Sequence, residues 1–252
     1  MRAFVLLRSA AFLLPFGFPN IANSATPDVA TILTQANQAF SAGKPVSSVE
    51  MTGTAHWIAG STKDSGPVTL TAKTTGENRV ELDLSGGTRI EEQSAATADR
   101  TCSWSGKDGV VHETTSSNCW TSTVWFLPHL ALQSGPKTAL SATDLGVVAD
   151  KTQQVHKIRY QLTIAPGKTK PAVTAQIQSW SKTDLALDPA SLLPSTLKYT
   201  IHPDNNSSVN LPVEVRYSNY QTVSGVALPF HIERYVNGSL QVSIDVTSAA
   251  VN

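Results

Sequence analysis

The sequence predicts a mainly β fold, an antiparallel sheet with two helical segments, on three observations. From Val46 onward apolar and polar residues alternate in short runs, the period of a half-buried strand. Turns rich in Gly and Asn separate the runs closely, as in hairpins rather than βαβ crossovers. The last thirty-six residues, Tyr217 to Asn252, read as three consecutive strands with both turns legible.

At the start of the chain, Arg2 and Arg8 flank and interrupt an almost wholly apolar run, Ala3 to Phe18, followed by Ala22-Asn23-Ser24-Ala25. This pattern predicts a secretory signal peptide over residues 1–24, cut after Ser24. Breaks at Arg8, Pro15 and Pro19 make the run too short for a retained membrane helix. No cysteine follows the cleavage region, so a soluble chain without an N-terminal lipid is expected, with residues 25–252 as a single β domain. Thr26-Pro27-Asp28 reads as a helix start, and Val29, Ile32, Leu33, Ala36 and Phe40 recur at helical spacing up to Gly43. The stripe is narrow, so this helix is expected to cover an apolar surface.

Strands are then expected around Val49 to Trp57, Val68 to Ala72 and Val80 to Leu84. Gly86-Gly87 turns into a fourth at Thr88 to Glu92, and Gly106-Lys107-Asp108-Gly109 joins Thr101–Ser105 to Val110–Thr114. The aromatic run Trp120 to Leu127 suits a short helix or a strand and is assigned as helix. Asp150 to Ile164 is the clearest long strand, with His156, Ile158, Tyr160 and Leu162 on one face, and Val173, Ala175 and Ile177 are read as a strand answering it. Asp184 to Pro194 is read as the lead into a strand with Leu197, Tyr199 and Ile201. About eleven strands result.

In the last segment a two-residue turn at Ser224-Gly225 sets Tyr217 opposite Ile232 and Val213 opposite Val236. A two-residue loop at Asn237-Gly238 would place Phe230 opposite Asp245, mixing the faces. A three-residue loop, Val236-Asn237-Gly238, is therefore expected, pairing Phe230 with Ile244, Ile232 with Val242 and Leu228 with Val246. Val215, Tyr217, Leu228, Phe230, Ile232, Leu240, Val242, Ile244 and Val246 then share one face, and Arg234 falls among them.

The whole chain balances 19 basic against 19 acidic residues, and removal of residues 1–24 leaves 17 against 19. Such a balance gives no footprint for nucleic acid. Cys102 and Cys119, the only cysteines, are expected to form a disulfide in an oxidising compartment. The six histidines, His56, His112, His129, His156, His202 and His231, lack metal-ligand spacing and are read as surface or strand residues. No GxSxG, phosphate-binding loop or dinucleotide motif occurs, so a non-enzyme needing no cofactor is expected.

The run Tyr217-Ser218-Asn219-Tyr220-Gln221-Thr222-Val223-Ser224-Gly225-Val226-Ala227-Leu228-Pro229-Phe230, with Tyr235-Val236-Asn237-Gly238, resembles the end of LolA-like outer-membrane lipoprotein carrier and sorting proteins. Asp188-Pro189 through Leu193-Pro194 before a strand is similar as well. The resemblance covers about seventy residues by motif and the rest by order of elements. It implies a half-open antiparallel β-barrel, closed by helices, whose concave face holds a lipid or lipoprotein acyl chain. The signal peptide and the lack of a lipid-anchor cysteine predict a periplasmic or secreted location, a monomer is expected, and a membrane-associated donor or acceptor protein is the candidate partner. Carriers of that family keep an arginine on an early strand to latch the lid, and no match stands between Val46 and Val80. Arg79 and Arg89 are nearest and are read as lying beside the apolar alternation.

Ligand-lining candidates are Trp57, Trp120, Trp125, Phe126, Tyr217, Phe230 and Arg234, since large flat side chains suit apolar pockets and a desolvated guanidinium needs acceptors. Trp104 joins the rings that would line a pocket or fill a core. Arg234 either meets a ligand head group or a helix, or snorkels to water at the sheet margin. A second reading is an envelope protein–protein interaction module whose concave face is filled by its own side chains, and a less favoured third is a hydrolase without a recognisable motif.

Overall fold

Period-two alternation builds one sheet in the computed structural model, which describes residues 28–94, 101–121, 125–130, 140–164 and 167–252. The segment read as a signal peptide lies outside the described residues. The first limb holds β1 (Ser48–Ala59), β2 (Thr62–Lys73), β3 (Asn78–Leu84), β4 (Gly87–Gln93), β5 (Cys102–Ser105) and β6 (Val111–Glu113). The second holds β7 (Leu140–Asp150), β8 (Gln153–Leu162), β9 (Thr183–Leu187), β10 (Pro194–Ile201), β11 (Leu211–Val223), β12 (Val226–Val236) and β13 (Ser239–Val251). Their order is β6-β5-β4-β3-β2-β1-β13-β12-β11-β10-β9-β8-β7, every neighbour antiparallel, with β6 and β7 as open edges. The two limbs therefore join through β1 and β13, paired from Val49↔Val251 to Trp57↔Val242.

How far the sheet curls follows from one contact. Glu91 on β4 and Arg234 on β12 stand five strand steps apart, roughly 24 Å if the sheet were flat. Their side chains meet at 2.6 Å. The sheet must wrap its core face inward into a half-open barrel. Two glycines permit close passage along the wrap: a Cβ on Gly53 would sit 2.1 Å from the Asp245 carbonyl oxygen, and one on Gly66 2.0 Å from that of Asp83.

Helices α1 (Val29–Ser41), α2 (Ser116–Thr121) and α3 (Pro171–Trp180) flank the sheet. Asp28 caps α1, accepting from the Ala30 amide, and Ile32, Ala36 and Phe40 are its buried stripe. Phe40 stacks on His129 from the segment Trp125–Leu130, in which Trp125, Phe126, Leu127 and Leu130 are all buried. The aromatic run is thus only partly helix. α2 starts before it, Trp125-Phe126 is a turn, and residues 128–130 are helical.

Several sequence expectations change. Val173, Ala175 and Ile177 lie on α3, where Pro171 occupies the first turn and no residue is buried. Three apolar residues at alternate positions over five residues fit a helix edge as well as a strand. The partner of β8 is instead β9, inside the stretch read as a lead-in, whose Leu185-Ala186-Leu187 are buried in succession and so show no alternation. β7 has no counterpart in the sequence reading, because its inward positions include Ala142 and Asp144 and a bulge interrupts it before Val147.

The last hairpin keeps the face but not the expected register. Asn237 and Gly238 both have positive φ, 49° and 78°, and form a two-residue loop. A bulge between Arg234 and Tyr235, opposite Gln241, then resets the ladder. It pairs Ile232 with Ile244 and Arg234 with Val242, and turns Leu240 to the side of Tyr235. The first turn is as expected, with Tyr217 opposite Ile232 and Val213 opposite Val236.

Candidate functional site

The concave interior is unevenly filled. α1 and the segment Trp125–Leu130 pack against one part of it, while beside them lies a cavity of about 420 Å³. Apolar walls come from Trp57 on β1, Val80 and Leu82 on β3, Tyr199 and Ile201 on β10, Val213 on β11 and Val242 on β13. β4 contributes a polar row, Arg89, Glu91 and Gln93. The β3–β4 ladder sets Arg89 opposite Leu82 and Glu91 opposite Val80, so both stand on the core face. Arg89 is therefore on the alternation rather than beside it.

Arg234 crosses the cavity to Glu91. Its Nη1 and Nη2 donate to the two carboxylate oxygens at 2.8 and 2.6 Å, a paired geometry that suits the planar guanidinium. Trp125 completes the group: its Nε1 donates to Glu91 at 3.0 Å, its ring lies 4.3 Å beneath the guanidinium carbon, and its carbonyl accepts from Tyr217. Burial pushes the Glu91 carboxyl upward, but the Arg234 charge and the hydrogen bonds from Arg234 and Trp125 outweigh it, leaving the group below its ordinary value. Burial pulls Arg234 down, and Glu91 more than restores it. Both groups are thus charged and mutually neutralised. Arg234 is 7% exposed, so it does not snorkel to water.

α2 ties the limbs together across the same space. Cys119 on α2 is bonded to Cys102 on β5, the expected disulfide, with Cα atoms 5.5 Å apart. One residue earlier, Asn118 donates to the His202 carbonyl at 2.7 Å and accepts from the His202 amide at 2.8 Å, just past β10. Asn118 and His202 both line the cavity.

Among the ligand candidates, Trp57, Trp125 and Arg234 line the cavity. Phe126, Tyr217 and Phe230 do not; they are 0%, 5% and 8% exposed and belong to the packed core, where the Tyr217 hydroxyl donates to the Trp125 carbonyl. Trp120 sits half-buried on α2, outside the cavity wall. Trp104 lines the cavity, is 40% exposed and stacks on His112. Glu91, Arg89 and Asn118 are among the wall residues that were not candidates from the sequence. Tracing the Gly86-Gly87 hairpin through its register would have found the first two.

His129, His156 and His202 are buried rather than superficial. His156 Nε2 meets Asp144 at 2.7 Å, and His202 Nε2 meets Asn210 at 3.0 Å. Among the described residues no group of three or more His, Cys, Asp or Glu side chains is placed to hold a metal. A second hollow, about 750 Å³ and more polar, carries Lys198, Glu214, Arg216 and Asp184, whose charges are paired through Lys198–Asp150, Arg216–Glu214 and Arg159–Asp184.

No protein-family model and no curated protein matches this chain. Solved structures do. A domain described as an outer-membrane lipoprotein-sorting protein from Vibrio parahaemolyticus superposes with a TM-score of 0.55 at 8% identity, covering 88% of this chain and 91% of that one. A LolA superfamily protein from Nitrosomonas europaea gives 0.54 at 9% identity, over 90% and 94%. A DUF1329 family protein from Desulfovibrio piger gives 0.53 at 9% identity, over 88% and 91%. The LolA-like fold is shared, and identity this low speaks for the fold alone.

Proposed function

We propose that this is an exported binding protein which holds the apolar chain of a lipid or acylated partner in the cavity of the half-open barrel. The observation that carries the reading is the cavity itself: about 420 Å³, walled by Trp57, Val80, Leu82, Tyr199 and Val242. That volume falls within the roughly 300–1,000 Å³ of small-molecule sites. Burying about ten methylenes contributes about 8 kcal/mol at about 0.8 kcal/mol each, before the cost of ordering the chain. No covalent chemistry or cofactor is required. Support for export comes from the Arg2 to Ser24 pattern, and support for a carrier role from the fold it shares with a described lipoprotein-sorting domain. Delivery to or from a membrane-associated protein would follow from such a role.

The Trp125–Leu130 segment favours a second reading. Because the protein's own side chains already occupy part of the concave face, an interaction module with recognition elsewhere on the sheet would also explain the packing. Native mass spectrometry of the mature chain, exported with its own leader and purified without detergent, separates the two. A recurring adduct of lipid mass, identified after solvent extraction, is expected. A bare mass with no uptake of added lipid would overturn the carrier reading and leave the interaction module.

A further inference from the structure

Resting on the cavity reading above, we infer that the ligand is an amphiphile with an oxyanion head group, carboxylate or phosphate, and that Arg89 is the residue that selects it. Around Arg89 the carboxylates are held by other groups or stand clear of it. Glu91 is saturated by Arg234 and Trp125, and Glu92 is paired with Arg79. Asp64 accepts from Ser85 and Gly86, and Asp83 from Thr88; Asp108, which flanks Gly106 as Arg89 does, accepts from the Val110 amide and forms no ion pair with Arg89. Asp204, the remaining carboxylate on the cavity wall, is exposed to solvent and makes no ion pair with Arg89. Arg89 has no acidic partner among the described residues, yet its guanidinium lines the cavity and lies 4.9 Å above the Trp57 ring.

The wall around it is rich in donors. Trp57 Nε1 and Arg234 Nε are buried N–H groups without a partner among the described residues, and both side chains line the same cavity. Buried donors of this kind favour an acceptor in the space they surround, since Glu91 engages only Nη1 and Nη2 of Arg234 and neither Arg234 Nε nor Trp57 Nε1. A cation on an aromatic plate, backed by donors and facing an apolar hollow, fits a ligand that brings its own negative oxygens and a hydrocarbon chain. Arg89 is a specificity residue in this arrangement. The apolar walls take the chain.

Isothermal titration of the mature protein with dodecanoate, dodecyl phosphate, dodecanol and inorganic phosphate, at low salt and pH 8, tests this. Either anionic amphiphile is expected to bind about tenfold or more tightly than dodecanol, which the two anions' relative affinities then resolve into a carboxylate or a phosphate preference. In Arg89→Gln the advantage should collapse, in Arg89→Lys it should largely remain, and in Lys168→Gln, which removes the same charge outside the cavity wall, it should be unchanged. Dodecanol binding as tightly as both anions would overturn the head-group inference and leave the apolar cavity standing. An undiminished advantage in Arg89→Gln, or inorganic phosphate binding as tightly as its dodecyl ester, would also overturn it. If no chain of any kind binds, the cavity reading falls together with it.

Discussion

Lowering the pH should loosen this protein through His129 before its carboxylates protonate. His129 is 5% exposed, stacked on Phe40 at 4.9 Å, hydrogen-bonded to the Ala36 carbonyl, and its Nε2 has no partner among the described residues. Burial pulls its pKa down from 6.5 to about 4. The folded chain thus refuses a proton that the unfolded chain accepts. Stability from this residue is whole above 6.5, and declines as pH falls through the interval between the two values. At about 1.4 kcal/mol per pH unit the full effect is about 3 kcal/mol, of which about 2 kcal/mol is lost between pH 7 and pH 5. Urea denaturation at pH 7, 6 and 5 measures it, with His129→Phe as the reference, since a phenyl ring keeps the stacking and cannot titrate. The parent should lose about 2 kcal/mol more than the variant over that range. Equal losses in the two proteins would refute the claim that the imidazole is locked neutral.

Two further outcomes are expected. Arg234→Leu leaves Glu91 charged beside the cavity without its partner and should cost about 2–3 kcal/mol in urea denaturation, less than a fully buried pair would because the Glu91 side chain is 39% exposed. The double variant Glu91→Leu/Arg234→Leu should recover much of that loss; a double variant weaker than Arg234→Leu would count against the ion pair as the cause. Replacing both Cys102 and Cys119 with serine should lower stability by about 3 kcal/mol and speed proteolysis around α2, whereas unchanged denaturation under reducing and oxidising conditions would show the bond to be idle.

Sequence legibility followed burial geometry. β1, β2, β3 and β8 are core on one face and wet on the other, so their alternation was plain. β9 is buried at three successive positions, and β7 turns small and polar residues inward, so both were silent. The hairpin at Asn237-Gly238 shows the limit of register arguments: the correct conclusion that one face stays apolar was reached through a longer loop, whereas the chain uses a tight turn and places its extra residue at Gln241. For the site, Arg234 was conspicuous as a charge in an apolar stripe. Glu91 was not, because its neighbours Ile90 and Glu92 mask the face it takes, and its partner lies 143 residues away. Of the six candidate rings, Phe126, Tyr217 and Phe230 lie in the core and off the cavity wall, since a sequence counts aromatic residues without saying which of them the rest of the chain will cover.

The position of β13 carries a consequence for the time course of folding. It lies between β1 and β12, in the middle of the sheet, and the backbone at Ser47 and Ser48 bonds to Asn252. Everything from β2 to β6 can zip up locally as the chain emerges, and so can β7 to β12, but in the sheet the two blocks pair only through β1 and β13, which comes after all the other strands in chain order. Contacts spanning some two hundred residues are slow to form. Until they do, β1 and β12 each present a bare apolar edge. Until the seam closes the chain therefore stands as two preformed halves, and in that interval it is most exposed to aggregation.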